Sequence, residues 1–72
     1  MERQLFESSN LASVGYDESN QILEIEFKHG SIYQYSEVDK ETYEELMSAE
    51  SKGSYFNSRI RGTFPYILIK KK

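Results

Sequence analysis

Between Leu23 and Lys28 the chain alternates strictly, with apolar Leu23, Ile25 and Phe27 set against Glu24, Glu26 and Lys28. A period of two is that of a strand with one face buried, so this segment predicts a β-strand presenting its three apolar residues to a core. Leu11 to Asp17 repeats the pattern more weakly, with Ala12, Val14 and Tyr16 on one side and Ser13 and Gly15 on the other. The turn formers Asp17-Glu18-Ser19-Asn20 separate these two strands. Ile32 to Val38 reads as a third strand, which makes an antiparallel meander.

How the chain turns at His29-Gly30 decides where Tyr33 and Tyr35 point. A two-residue loop pairs Phe27 with Ile32 and sets both tyrosines beside Glu24 and Glu26. A three-residue loop, Lys28-His29-Gly30 with the glycine in a left-handed bulge position, pairs Ile25 with Tyr33 and Leu23 with Tyr35. The longer loop is expected, because it sets aromatic against aliphatic and leaves Gln34 and Ser36 with the glutamates. A slip of one residue would reverse every side chain. The tyrosine rings are then partly buried, with their hydroxyls near the rim of the sheet.

The period changes at Asp39. Tyr43, Leu46 and Met47 form one apolar stripe while Glu41, Glu44 and Glu45 face water, which predicts a helix from Asp39 to Glu50 capped by Asp39 or Ser36. Glu41 suits the positive end of that helix. A second short helix is expected from Ser51 or Ser54 to Arg61, with Phe56 and Ile60 turned inward and Gly62 ending it. The apolar run Phe64 to Ile69 surrounds Pro65, which suits an edge strand; left unpaired, such a strand invites self-association. The fold class expected is α+β: a three-stranded antiparallel β-meander followed by two short helices packed on the Leu23/Ile25/Phe27 face, with an extra C-terminal edge strand.

Length limits what this fold can hold. The 72 residues form one domain, and a chain of that size buries only about 60% of the surface it would expose unfolded, which leaves little room for an internal catalytic cavity. There is no cysteine, hence no disulfide framework and no thiolate metal site. No apolar run approaches the roughly 18 residues that cross a bilayer, and Met1-Glu2-Arg3-Gln4 does not open a secretory signal. A cytoplasmic location without membrane association is therefore expected.

The net charge of −3 conceals a polarity. Residues 1–50 carry all twelve acids against Arg3, Lys28 and Lys40, a balance of −9. Residues 51–72 carry Lys52, Arg59, Arg61, Lys70, Lys71 and Lys72 and no acid, a balance of +6. An acidic chain can thus present one basic face, or its two halves can neutralise each other.

Catalytic arrangements are absent. His29 is the one histidine and sits in a tight turn, so no nucleophile has a rigid base. A Ser–Lys pair at Ser54 and Lys52 would lack an oxyanion hole, and Glu24 with Glu26 is explained by an exposed strand face. Asp17, Glu18 and Asn20 resemble calcium ligands without the glycine and distant glutamate of a calcium loop. Lys52-Gly53-Ser54 has the wrong order for a phosphate loop. No enzyme activity, cofactor or metal is implied. The stretch Ser51 to Gly62, SKGSYFNSRIRG, has three bases and no acid, with Tyr55 and Phe56 among them. Its helix start attracts anions, and Tyr55 lies one turn from Arg59, a ring beside a guanidinium that fits an unstacked base and its phosphate. The same residues also serve as a plain helix cap and a surface cation–π contact. On an α-helix Arg59 and Arg61 point about 200° apart, so both reach one ligand only if Arg61 has left the helix.

Val14-Gly15-Tyr16-Asp17, then Tyr33-Gln34-Tyr35, then Ser51-Lys52-Gly53-Ser54-Tyr55-Phe56-Asn57 followed by Ile60-Arg61, is an ordered set that resembles the KTSC domain. That family is named for the C-terminus of some lysyl-tRNA synthetases and also occurs as short stand-alone bacterial proteins. The resemblance covers residues 8–62; residues 63–72 form an extension outside it, with the edge strand and a basic tail. This chain has Asp39 where the family often has proline just after the third strand. The resemblance implies no established activity, and its synthetase context suggests RNA or tRNA as a partner. The residues expected to carry that contact are Lys52, Ser54, Tyr55, Asn57, Arg59 and Arg61, with Tyr33 and Tyr35 secondary. The alternative is a protein-interaction or self-assembly module that uses the C-terminal edge strand or the acidic Glu41/Glu44/Glu45 helix face.

Overall fold

A computed structural model describes residues 3–5 and 11–71. Five strands form one antiparallel sheet in chain order: β1 (Arg3–Leu5), β2 (Leu11–Asp17), β3 (Ile22–Phe27), β4 (Ile32–Tyr35) and β5 (Tyr66–Lys70). Between β4 and β5 lie helix α1 (Lys40–Ser48) and a second helical segment, α2 (Lys52–Tyr55), which runs directly into a wide π turn over Phe56–Ile60. The α+β architecture is the expected one, with a meander, two helical segments and a C-terminal edge strand. The sheet gains one strand over the expected set, because β1 pairs with β2 and sets Gln4 opposite Val14. Three residues are too few to show a period.

The β3–β4 register is that of the three-residue loop. Ile25 pairs with Tyr33 and Leu23 with Tyr35, the Gly30 and Phe27 N–H groups donate to Phe27 and Ser31 carbonyls at 2.9 Å, and Gly30 takes φ 107. Gln34 donates to Glu24 at 2.8 Å on the opposite face, so polar meets polar. In β2 the alternation is broken by a bulge between Leu11 and Ser13. The bulge turns Leu11 rather than Ala12 to the core beside Val14, both fully buried, and points the Ser13 hydroxyl at Glu26, to which it donates at 2.8 Å. The third meander strand ends at Tyr35 instead of continuing to Val38, because Glu37 adopts a left-handed φ of 62. Val38 then tucks into the core while its N–H donates to the Gln21 carbonyl at 2.9 Å.

Asp39 caps α1, accepting from the Thr42 N–H at 3.1 Å, and Ser51 caps α2 by accepting from the Ser54 N–H at 3.3 Å. The helices cover the sheet face formed by Leu23 and Ile25. Leu46 enters from α1 and Phe56 and Ile60 from the π turn, all essentially without exposure. Tyr43 stacks on Tyr16 with centroids 4.6 Å apart, and the Tyr16 hydroxyl donates to the Val38 carbonyl, which ties α1 to β2. No helix among the described residues is long and apolar enough to cross a membrane.

Candidate functional site

Where the helix was expected to continue regularly to Arg61, the backbone widens. The Arg61 N–H donates to the Phe56 carbonyl, five residues back, at 2.9 Å, and Arg61 itself is extended at φ −64, ψ 125. Such π turns put an extra residue into a helical turn and recur at functional sites. Phe56 and Ile60 are both buried here, and Arg61 has left the helix. Gly62 follows at φ 81, the left-handed residue that ends a helix.

Arg61 leaves the helix beside an open cleft of about 500 Å³ between this segment and the sheet. Phe27, Tyr33, Tyr35 and Tyr66 supply aromatic walls, and His29, Asn57 and Arg61 stand at the polar mouth. The rings are in mutual contact: Tyr33 and Tyr35 lie 5.5 and 5.4 Å from Tyr66, Phe27 meets Tyr33 edge-on at 5.6 Å, and Phe56 meets Tyr35 edge-on at 5.4 Å. This surface is the product of the register, since the longer β3–β4 loop sends Tyr33 and Tyr35 to the helix side of the sheet. Pairing of Tyr35 with Tyr66 adds the third tyrosine.

Tyr35 is 4% exposed, and burial pushes its phenol up to about 12, partly opposed by the nearby Arg61 guanidinium and reinforced by Tyr33 and Tyr66. Among the described residues its hydroxyl makes no hydrogen bond. Tyr33 is half-buried and Tyr66 is 56% exposed, so ring faces are open above a fixed base.

The residues singled out from the sequence divide into two sets. Asn57, Arg61, Tyr33 and Tyr35 come together at the cleft. Lys52, Ser54, Tyr55 and Arg59 are not among its lining residues. Tyr55 leans on α1, where its hydroxyl donates to Glu45 at 2.7 Å. Its phenol rises to about 12 through burial first, then through that bond and the Glu45 charge, with Arg59 pulling the other way. The Lys52 ammonium lies 3.5 Å from the Ala49 carbonyl, and the Ser54 hydroxyl accepts from Ser51 at 3.0 Å. Arg59 is exposed, and among the described residues neither it nor Arg61 forms an ion pair. Glu41, Glu44 and Glu45 are exposed as expected. Asp17 is occupied within its own turn, accepting from the Ser19 and Asn20 backbones and the Asn20 side chain. Sequence reasoning missed Tyr66 and His29 as cleft residues; the β4–β5 pairing that brings Tyr66 there leaves no local signal.

The KTSC domain model matches residues 7–64. An uncharacterized protein of Stutzerimonas stutzeri is 46% identical over 57 residues, spanning 79% of this chain and 80% of that protein. The lysine–tRNA ligase of a Nostoc species is 43% identical over 60 residues, covering 83% of this chain but only 11% of the ligase's length. The crystal structure of a KTSC domain protein from Yersinia pestis superimposes with a TM-score of 0.90 at 41% identity, over 96% of this chain and 97% of that one. Sequence and backbone agree over nearly the whole length, and the chain belongs to the KTSC domain family.

Proposed function

We propose that this protein is a small module that binds single-stranded RNA through the tyrosine cleft. The observation that carries the reading is the meeting of Tyr33, Tyr35 and Tyr66 with Asn57 and with Arg61, which has no ion-pair partner among the described residues. Unstacked bases bind to aromatic faces, and a guanidinium beside those faces holds the phosphate between them. Arg59, which is exposed, and Lys52, at the start of the same segment, lie outside the cleft lining and are proposed to meet the strand's flanking phosphates. Relationship to a region of lysine–tRNA ligases points to tRNA as one such strand-bearing partner. Binding and not catalysis is the role proposed, in the cytoplasm, without a cofactor.

The test is a titration with fluorescent single-stranded oligonucleotides and total tRNA at low and physiological salt, read by polarisation and backbone amide shifts. Three phosphates held by basic side chains predict a log affinity that falls with log salt at a slope near about −2. The variant Arg59→Glu, Arg61→Glu keeps its fold and flattens the slope by about 0.7 for each phosphate that is no longer neutralised. Wild type with no amide shift between Gly53 and Gly62 at low salt would end the RNA reading.

A second reading is favoured by β5, where Tyr66, Ile67, Leu68 and Ile69 are 46–58% exposed on an open sheet edge. Its proposed occupant is a second copy of this chain. Antiparallel pairing of two β5 strands about Leu68 sets Tyr66 against Lys70 of the other copy, a cation beside a ring, and brings no like charges opposite each other. Sedimentation would show a concentration-dependent dimer almost indifferent to salt; a monomer at the highest attainable concentration would dismiss it.

A further inference from the structure

The cleft carries more than a general affinity for strands. Its volume of about 500 Å³ falls within the range of about 300–1,000 Å³ typical of sites for single small molecules. Tyr35 is the most buried of the polar side chains that line it. The Tyr35 ring is packed against Phe56 and buried to 4% exposure, yet its hydroxyl makes no hydrogen bond among the described residues. A buried hydroxyl without a partner is destabilising, and native structures seldom keep one without a use. Measured between ring centroids, Tyr66 stands 5.4 Å and Tyr33 6.4 Å from Tyr35, and Arg61 and Asn57 line the same cleft. Flat walls, a buried hydroxyl and a cation suit a planar heteroaromatic ring that bears an anionic group.

We infer that the cleft takes one unpaired nucleotide of an RNA strand, its base against the exposed Tyr66 and half-buried Tyr33 rings with an edge on the Tyr35 hydroxyl and its phosphate on Arg61. The inference rests on the RNA reading and sharpens it. Neither duplex nor a flat track of stacked bases meets the geometry, because a paired base cannot reach a hydroxyl buried in a cleft. Tyr35 thus reads a base edge, whereas Tyr66 and Tyr33 supply sequence-tolerant stacking.

The experiment titrates the intact chain with each of the four ribonucleoside 5′-monophosphates, a short single-stranded oligoribonucleotide and a duplex of the same length, following amide shifts. Monophosphates are expected to bind weakly and to shift Asn57, Arg61 and Tyr66, the single strand to bind more tightly at the same residues, and the duplex to leave them still. Tyr35→Phe removes one buried oxygen, so it should melt no lower than wild type and lose roughly three- to tenfold in affinity for the preferred base. Tyr66→Ala, at an exposed edge position, should lose roughly tenfold or more for every base alike. Strand binding with no monophosphate shift at the cleft overturns the inference and leaves the RNA reading standing. Failure of every RNA to bind overturns both. Monophosphates binding as tightly as the strand overturn the strand source in favour of a free nucleotide.

Discussion

Phe56 is shared by the core and the cleft. It is 1% exposed and meets Phe27 and Tyr35 edge-on at 5.5 and 5.4 Å. Phe56→Ala should cost about 3–5 kcal/mol, against a total of about 4–11 kcal/mol expected for a domain of this length. Chemical denaturation would show it as a large fall in midpoint, and an unchanged midpoint would mean that the helical segment is peripheral. Tyr35 and Tyr55 give a second residue-level expectation. Both phenols are raised from the ordinary 10 to about 12, in each case by burial above all. In the unfolded chain they ionise near about pH 10, in the native one only near about 12, so their contribution is full below pH 10 and drains away as pH climbs between those values. A phenolate absorbance titration should show a late step that shrinks in Tyr35→Phe and in Tyr55→Phe. Tyr35 was legible in the sequence as a partly buried strand residue; Tyr55 was expected to face a ligand beside Arg59, and its contact with Glu45 on α1 was not legible, because it depends on how α1 and α2 pack.

At the level of elements, Gly62 ends the π turn at φ 81, with nothing within 4 Å of the position a Cβ would occupy. The cost of Gly62→Ala is therefore all backbone, about 1–2 kcal/mol, and Gly62→Asn should recover part of it. Thermal melts of the two variants check this, and equal melting for alanine and glycine would contradict it. Most elements followed from local pattern. The β3–β4 register was legible because Leu23, Ile25, Tyr33 and Tyr35 agree with one loop length and conflict with the other. Gly62 was legible as a stop. The π turn was not, since Phe56 and Ile60 are four residues apart and share a face on a regular helix as well. The β2 bulge was hidden for the same reason: Ala12 fits the alternation, and only the demand of Leu11 for the core breaks it.

Across the whole molecule, the cleft is assembled from β3, β4, the π turn and β5, so no single stretch announces it. The sequence singled out four of its eleven lining residues, Tyr33, Tyr35, Asn57 and Arg61, and ascribed to one helix face what the fold divides between two surfaces. The strand β5 has a consequence beyond shape. It pairs with β4 along one side only, its four apolar residues from Tyr66 to Ile69 stay half in water, and yet Tyr66 forms a wall of the cleft. A segment so held opens at small free-energy cost, and its amides should exchange with solvent long before those of β3 at the centre of the sheet. Because opening β5 dismantles the cleft, any ligand seated there must close it by mass action. Exchange at Tyr66 to Leu68 should slow about a hundredfold at a ligand concentration of about 100 Kd while β3 is unaffected, so that occupancy of the cleft is written in the protection of the strand beside it.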